Sequence, residues 1–389
     1  MKKILYLSFY FEPDLCAGSF RNSPLARELA RQVGPNDMVD VITTVPNRYS
    51  SFSAEAQQDE HAGNLRIRRI MLPSHKSGFI DQIKAFYHYY REVKNKIQYT
   101  EYDLVFASSS RLFTAYLGYR IASKRGIPLY LDIRDIFTDT LNDVIVNRLV
   151  KFLLLPVLRK IEAAVFNYAI HINLISAGFK EYFSKYAKPQ YSYYTNGIDQ
   201  EFIQSSTYEE LLAPSPITIT YAGNIGEGQG LHKIIPQAAK ILGDQYHFKV
   251  IGDGGARKLL AAAIELEQVN NVSIEKPVKR AELLEIYKRS HYLFMHLNDY
   301  LAFEKVLPSK VFELGAFPRP VIAGVNGYAR SFIQQHLSNV LLIQPANPDE
   351  LVDKLRDYSY QIENRDHFIR SFNRKQINTE MAASIAGYL

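Results

Sequence analysis

The chain has 389 residues, enough for two domains of ordinary size, and its 47% hydrophobic and 22% charged content is that of a globular protein. A single cysteine, Cys16, excludes a disulfide framework and suits a reducing cytoplasm. The net charge of +6 is uneven: residues 1–196 carry 26 Lys and Arg against 18 Asp and Glu, and the remainder 20 against 22. A basic first half implies an anionic counterpart (a phospholipid surface, a lipid-linked diphosphate or a nucleic acid) or else a merely solvated surface.

The opening run MKKILYLSFYF is too short for a signal-peptide core followed by a cleavage site and reads as a buried first strand. No window reaches the roughly 18 to 20 apolar residues of a membrane-spanning helix. From there, strand-like and helix-like runs alternate, which predicts parallel sheets with crossover helices. The first-half strands are expected at Ile4–Phe9, Val39–Thr43, Leu65–Ile70, Leu104–Ala107, Leu129–Ile133, Ile170–Ile175 and Gln190–Tyr194. Helices are expected at Ser23–Val33, Gly78–Ile97 and Thr114–Arg125. A polar stretch at about 199–215 precedes a second set of strands, at Ile217–Tyr221, His247–Ile251, Val272–Ile274, Tyr292–His296, Val321–Ala323 and Val340–Ile343. The expected division is a first domain over 1–198, a second over 199–370, and a closing helical stretch over 371–389 that packs back on the first.

Between Val144 and Ala169 a dense apolar run, including Leu149, Phe152, Leu153 and Val157, is interleaved with Arg148, Lys151, Arg159 and Lys160. It reads either as a buried helix or as a segment lying among lipid headgroups, and Pro156 argues against one straight helix. Lys76–Tyr99 interleaves aromatic and basic residues, a pattern that also occurs in single-stranded nucleic-acid binders, but no nucleic-acid module is recognisable.

The strongest chemical signal is Leu307-Pro308-Ser309-Lys310-Val311-Phe312-Glu313 between a predicted strand and the Pro320–Ala323 strand. Unpaired N–H groups at a helix start and the Lys310 ammonium would favour a phosphate. Glu313, one turn further, could accept hydrogen bonds from paired ribose hydroxyls; an ordinary capped helix would show the same residues. Gly223-Asn224-Ile225-Gly226 follows a strand, as does Gly252-Asp253-Gly254, and such turns either approach a phosphate or simply turn. The absence of a GxGxxG in register argues against a dehydrogenase. Asp132, Arg134 and Asp135 place charge at the carboxyl end of a strand, where open α/β sheets bind ligands. His171, His291 and His296 lie in or beside apolar strands and read as core histidines, and no CxxC, HxxxH or carboxylate cluster suggests a metal site.

Taken together, Phe303–Glu313, Gly324-Val325-Asn326-Gly327, Asn196-Gly197-Ile198-Asp199 and Tyr221–Gly226 resemble glycosyltransferase family 4, with bacterial N-acetyl-L-fucosaminyl transferases of O-antigen and capsule synthesis as the nearest pattern. Lys305 stands where the family has the first Glu of its Glu-x7-Glu motif, and Ala17-Gly18 where it has paired glycines. The resemblance implies a GT-B fold: two Rossmann-like, doubly wound α/β domains facing a cleft. It implies a retaining transfer from a UDP-sugar to a polyprenyl-diphosphate-linked saccharide, at the inner face of the cytoplasmic membrane, with peripheral attachment and no metal or other cofactor. The implied catalytic set is Lys310, Arg134, Asp135 and Lys305. The implied donor-binding set is Gly18, Gly223, Asn224, Gly226, Gly252, Val278, Pro308, Ser309, Lys310 and Glu313. A nucleotide-sugar 2-epimerase and a non-catalytic nucleotide-sugar binder are the competing readings.

Overall fold

The structure, a computed structural model, describes residues 1–14, 16–46, 55–73, 79–109, 112–144, 147–205 and 216–389. The expected helix start at Gly78, Lys76 of the aromatic–basic stretch, and most of the polar stretch at 199–215 lie outside the described residues. The chain divides into two compact units, Met1–Asn196 with Lys375–Leu389, and Gly197–Arg374.

In chain order, unit 1 contains β1 (Lys3–Ser8), α1 (Ala17–Gln32), β2 (Met38–Thr44), β3 (Asp59–Ala62), β4 (Leu65–Ile70), α2 (Phe79–Ile97), β5 (Leu104–Ser109), α3 (Leu112–Arg125), β6 (Leu129–Ile133), α4 (Phe137–Val144), α5 (Arg148–Tyr168), β7 (His171–Leu174), α6 (Lys180–Phe183) and β8 (Gln190–Ser192). The sheet order is β3-β4-β2-β1-β5-β6-β7-β8, parallel except for β3. Strands covered on both faces are apolar at nearly every position, which is why ILYL and LVFA read as continuous runs, while Asp40 in β2 is buried against Arg68. One face is covered by α1 and by the closing helix: Leu25, Leu29, Met381, Ala382 and Ile385 pack on Tyr6, Phe106 and Tyr130. The other face carries α2, α3 and α5. Tyr89 of α2 donates its hydroxyl to the Ile42 carbonyl at 2.8 Å, and Gly118 of α3 lies over Ala107 and Leu129.

Unit 2 contains α7 (Gln200–Ser205), β9 (Ile217–Asn224), α8 (Ile235–Leu242), β10 (Tyr246–Asp253), α9 (Arg257–Glu267), β11 (Val272–Glu275), α10 (Arg280–Arg289), β12 (Tyr292–His296), α11 (Lys310–Gly315), β13 (Val321–Gly324), α12 (Gly327–His336), β14 (Val340–Ile343), α13 (Pro348–Asp357) and α14 (Asp366–Ser371). The closing helix, α15, spans Arg374–Ala386, and its residues from Lys375 onward belong to unit 1. The second sheet is parallel throughout, in the order β11-β10-β9-β12-β13-β14. This is the doubly wound dinucleotide-fold order, with the reversal of winding between β9 and β12.

Three elements depart from expectation. α1 begins at Ala17 rather than Ser23 and carries Pro24 inside it. α5 runs unbroken through Pro156, because Leu155, Leu158, Glu162, Val165 and Phe166 anchor one side of it in the core. β3, with the sequence DEHA, is a largely exposed antiparallel edge that has no apolar pattern to announce it.

Candidate functional site

The site in unit 2 forms where β9 and β12 part, at the carboxyl ends of the strands. Gly223 and Asn224 end β9, and the chain then turns through Gly226. Gly223 has φ +148°, and a Cβ there would stand 2.6 Å from Cε and 2.9 Å from Nζ of Lys310. Glycine therefore lets the Lys310 ammonium lie against the backbone of the loop. That ammonium donates to Oε2 of Glu313 at 3.4 Å and lies 5.7 Å from the centre of the Tyr221 ring. Lys310 and Glu313 side chains are 20% and 23% exposed, so the pair is reachable from solvent. Spacing of three residues on one helix face brings them together.

The helix bearing them, α11, has only six residues, and Ser309 makes no side-chain capping bond. Its macrodipole is correspondingly small, so the local positive potential comes mainly from the Lys310 charge. Pro308 and Ser309 supply the carbonyls that accept from the Val311 and Phe312 amides.

The loop after β9 is tied down by its own Gln229 and by residues from the end of β12. The Asn224 amide donates to Oε1 of Gln229 at 2.7 Å, and the Gly226 N–H reaches the same oxygen at 3.2 Å. A Cβ on Gly226 would strike the Asn224 amide. Asn298, just beyond β12, accepts from Lys233 at 2.9 Å and donates to the Glu227 carbonyl at 2.9 Å. His296 closes the frame. Its Nε2 accepts from the Ala346 N–H at 2.9 Å, so Nδ1 carries the proton and donates to the Gln229 carbonyl at 2.6 Å. Burial lowers the His296 pKa to about 4, and protonating Nε2 would set two N–H groups against each other.

Other expected residues fall differently. At Gly252 a Cβ would stand 1.8 Å from the Gly223 carbonyl oxygen, so glycine there serves the close approach of β9 and β10. Val278 is a half-buried residue packed on the apolar cluster around Tyr287 and Phe312. Lys305 ends the short 3-10 turn Leu301–Lys305. The Glu304 backbone of that turn abuts Gly327, where a Cβ would stand 2.1 Å from the Glu304 oxygen. This explains why the Gly324–Gly327 motif accompanies the Phe303–Lys305 motif.

In unit 1, Arg134 and Gly18 meet. A Cβ on Gly18 would lie 2.7 Å from Nη1 of Arg134, whose Nε is buried without a hydrogen-bond partner. The hydroxyl of Ser19, in the first turn of α1, is likewise buried and unpartnered. Asp135 is exposed and borders a small cavity with Ser109, Phe137, Glu162, Tyr182 and Phe183. In that cavity Glu162 accepts from Tyr182 at 2.6 Å, and burial raises its pKa.

Asp132 is not a ligand-facing charge. It is fully buried and paired with the equally buried Arg21 at 2.8 and 2.9 Å. Ser108 and Asn173 donate to the same carboxylate. Burial alone would raise the Asp132 pKa; the Arg21 charge and these hydrogen bonds outweigh it and hold it below the ordinary value. Two further Arg21 bonds reach the carbonyls of Tyr194 and Thr195. The pair ties α1, β6 and the segment after β8 together.

The sequence marks Tyr221 only as the first residue of the Tyr221–Gly226 motif, and His296 as a core histidine, which its burial bears out. Gln229 and Asn298 carry no signal in the sequence, because what matters about them is their partners.

Residues 204–374 match the family described as Glycosyl transferases group 1. No curated protein sequence matches the chain. Among solved structures, Anabaena HepE in complex with UDP and glucose is 14% identical, with all of both chains covered and a TM-score of 0.69. An α,α-trehalose-phosphate synthase (UDP-forming) from Burkholderia xenovorans, in complex with glucose-6-phosphate, is 10% identical, with 99% of this chain and 100% of that one covered and a TM-score of 0.70. WaaG, a glycosyltransferase involved in lipopolysaccharide biosynthesis, is 14% identical, with 98% and 95% covered and a TM-score of 0.64. The chain has the GT-B fold, and within it residues 204–374 carry the match to the group 1 glycosyl transferases.

Proposed function

We propose that the protein is a retaining glycosyltransferase of family 4 that uses a UDP-sugar, with an N-acetylated amino sugar such as N-acetyl-L-fucosamine as the donor sugar class. The observation that carries the reading is the Lys310–Glu313 pair beside Gly223, at the point where the winding of the second sheet reverses. Lys310 would neutralise the leaving diphosphate, and Glu313 would accept from the ribose hydroxyls. Fixed electrostatic stabilisation of a leaving group and positioning of an acceptor hydroxyl are what such a transfer demands of a protein. The Arg134–Gly18 corner of unit 1, with its unpartnered Nε, would face the acceptor or the transferred sugar. The acceptor class is a polyprenyl-diphosphate-linked saccharide of O-antigen or capsule assembly, met at the inner face of the cytoplasmic membrane by a peripherally bound enzyme.

The test is a panel of nucleotide sugars screened by thermal shift, since ligands bound to the folded state raise its apparent stability. Donors that stabilise are then incubated with lipid-linked saccharides, and the product anomer is read by NMR. A UDP-sugar that stabilises the protein and yields a product of retained configuration supports the proposal. Inverted product removes the retaining mechanism. Binding without hydrolysis or transfer favours a non-catalytic binder, a reading that Lys305 in place of the family's first Glu specifically motivates.

A further inference from the structure

α5 is apolar on two opposite sides. Its inner side, Leu155, Leu158, Val165 and Phe166, is buried in unit 1. Its outer side presents Leu149, Phe152, Leu153 and Val157, which are 72, 78, 64 and 53% exposed. At 100° per residue these four fall within one half of the helix circumference, opposite the buried set. A helix that is apolar all round belongs in an apolar surrounding on both sides, and only one side has it here.

The charges on α5 bracket this face. Arg148 opens the helix, Arg159 and Lys160 stand one turn beyond Val157, and all three are exposed. The only acidic residue of the helix, Glu162, is buried and held by Thr138 and Tyr182. The face therefore has an apolar centre with cationic ends and no anion.

The neighbouring helices extend the pattern. α2 and α3 cover the same face of the sheet as α5: Phe86 meets Phe113 at 5.4 Å between ring centres, and Tyr119 meets Tyr168 at 5.4 Å. Away from the sheet, α2 exposes Ile83 and Tyr87 beside Lys84, Arg91 and Lys94. Part of the 26-to-18 excess of basic over acidic residues in 1–196 is thus displayed on the side of unit 1 that carries α5.

We infer that the outer face of α5, with the basic side of α2 on the same face of the sheet across α3, docks unit 1 onto an anionic lipid bilayer, with α5 lying in the plane of the headgroups. Apolar side chains enter the acyl boundary, and the long basic side chains at both ends of the helix reach back to the phosphates. No helix among the described residues is long and apolar enough to cross a membrane, so the contact is interfacial. A protein partner of ordinary surface would have to cover the apolar ridge and also neutralise its cationic rim; an anionic bilayer does both over any area. The inference rests on the glycosyltransferase reading only for its purpose, which is to bring the enzyme to a lipid-linked acceptor.

The experiment is flotation of the full chain with vesicles of phosphatidylcholine alone or mixed with phosphatidylglycerol, at low and high salt. Binding to the anionic vesicles alone, weakening with salt, is expected. Phe152→Ser with Leu153→Ser should lower the bound fraction at least tenfold, and Arg159→Glu with Lys160→Glu should do likewise. Both double variants should keep the wild-type melting temperature and UDP-sugar affinity, since they lie on the solvent side of unit 1. Equal flotation with neutral and anionic vesicles, or none with either, overturns the inference. So does a stable dimer in sedimentation that Phe152→Ser with Leu153→Ser dissociates, because the face would then belong to a second copy. Loss of vesicle binding with transfer to a soluble acceptor intact removes the docking surface alone. Vesicle binding without any nucleotide-sugar binding removes the enzyme reading alone.

Discussion

Lys310 and Glu313 share one face of a six-residue helix, so each side chain limits where the other can go. Glu313→Gln keeps the size of the side chain and removes its charge. It should weaken UDP-sugar binding by about 1–3 kcal/mol, the usual worth of a hydrogen bond to a charged group, as read by calorimetry. Unchanged affinity would remove Glu313 from the ribose. The Arg21–Asp132 pair makes the opposite case, a pair of charges whose work is structural. Arg21→Met would strand a buried carboxylate, and breaking such a pair costs about 3–5 kcal/mol, so the urea midpoint should fall steeply while donor affinity is retained. Both pairs show what a sequence discloses. Lys310 and Glu313 were legible because they stand three positions apart and a recognisable motif frames them. Asp132 was misjudged as ligand-facing because its partner lies 111 residues away. A charge at a strand end looks the same whether it faces solvent or an arginine.

Among the elements, the loop after β9 owes its shape to residues from three other segments. Gly223→Ala would put a methyl group onto Lys310, displacing the ammonium. It should weaken UDP-sugar binding at least tenfold and also lower the melting temperature, since φ of +148° is strained for any residue with a side chain; Lys310→Met, which leaves the backbone alone, should weaken binding with little change in melting temperature. The His296 frame yields a pH dependence. Its folded pKa of about 4 lies below the ordinary 6.5, so the unfolded chain binds the extra proton first. The stability this provides is complete above about pH 6.5 and is lost as the pH falls toward 4, by roughly 3 kcal/mol in all. His296→Gln should reduce the slope of unfolding free energy against pH in that window, by up to one proton, and an unchanged slope would show that His296 does not titrate there. The doubly covered strands were legible as unbroken apolar runs. β3 was not, because an exposed edge has no apolar side to reveal it. The continuity of α5 through Pro156 was not legible either, because the anchoring comes from the tertiary packing of its inner face, which local sequence does not contain.

For the whole molecule, the proposed chemistry predicts indifference to divalent metal. Lys310 is a fixed cation beside the backbone where a diphosphate would lie, the role a divalent ion otherwise fills. Transfer should therefore persist in EDTA; activity abolished by EDTA and restored by magnesium would refute this.

The division of the chain has a consequence for how the protein is made. Unit 1 is assembled from both ends of the sequence, with the whole of unit 2 between them. On the ribosome, the sheet of unit 1 is complete by Ser192, yet Tyr6 and Tyr130 are left without the Met381, Ala382 and Ile385 that later cover them. At translation speeds of about 5–20 residues per second, that apolar patch waits some ten to forty seconds for its cover. Unit 2 has all its own residues in one stretch and can finish first, although it is begun second. A released chain that ends at Arg374 should accordingly show a protease-resistant unit 2 beside a unit 1 that chaperones still hold.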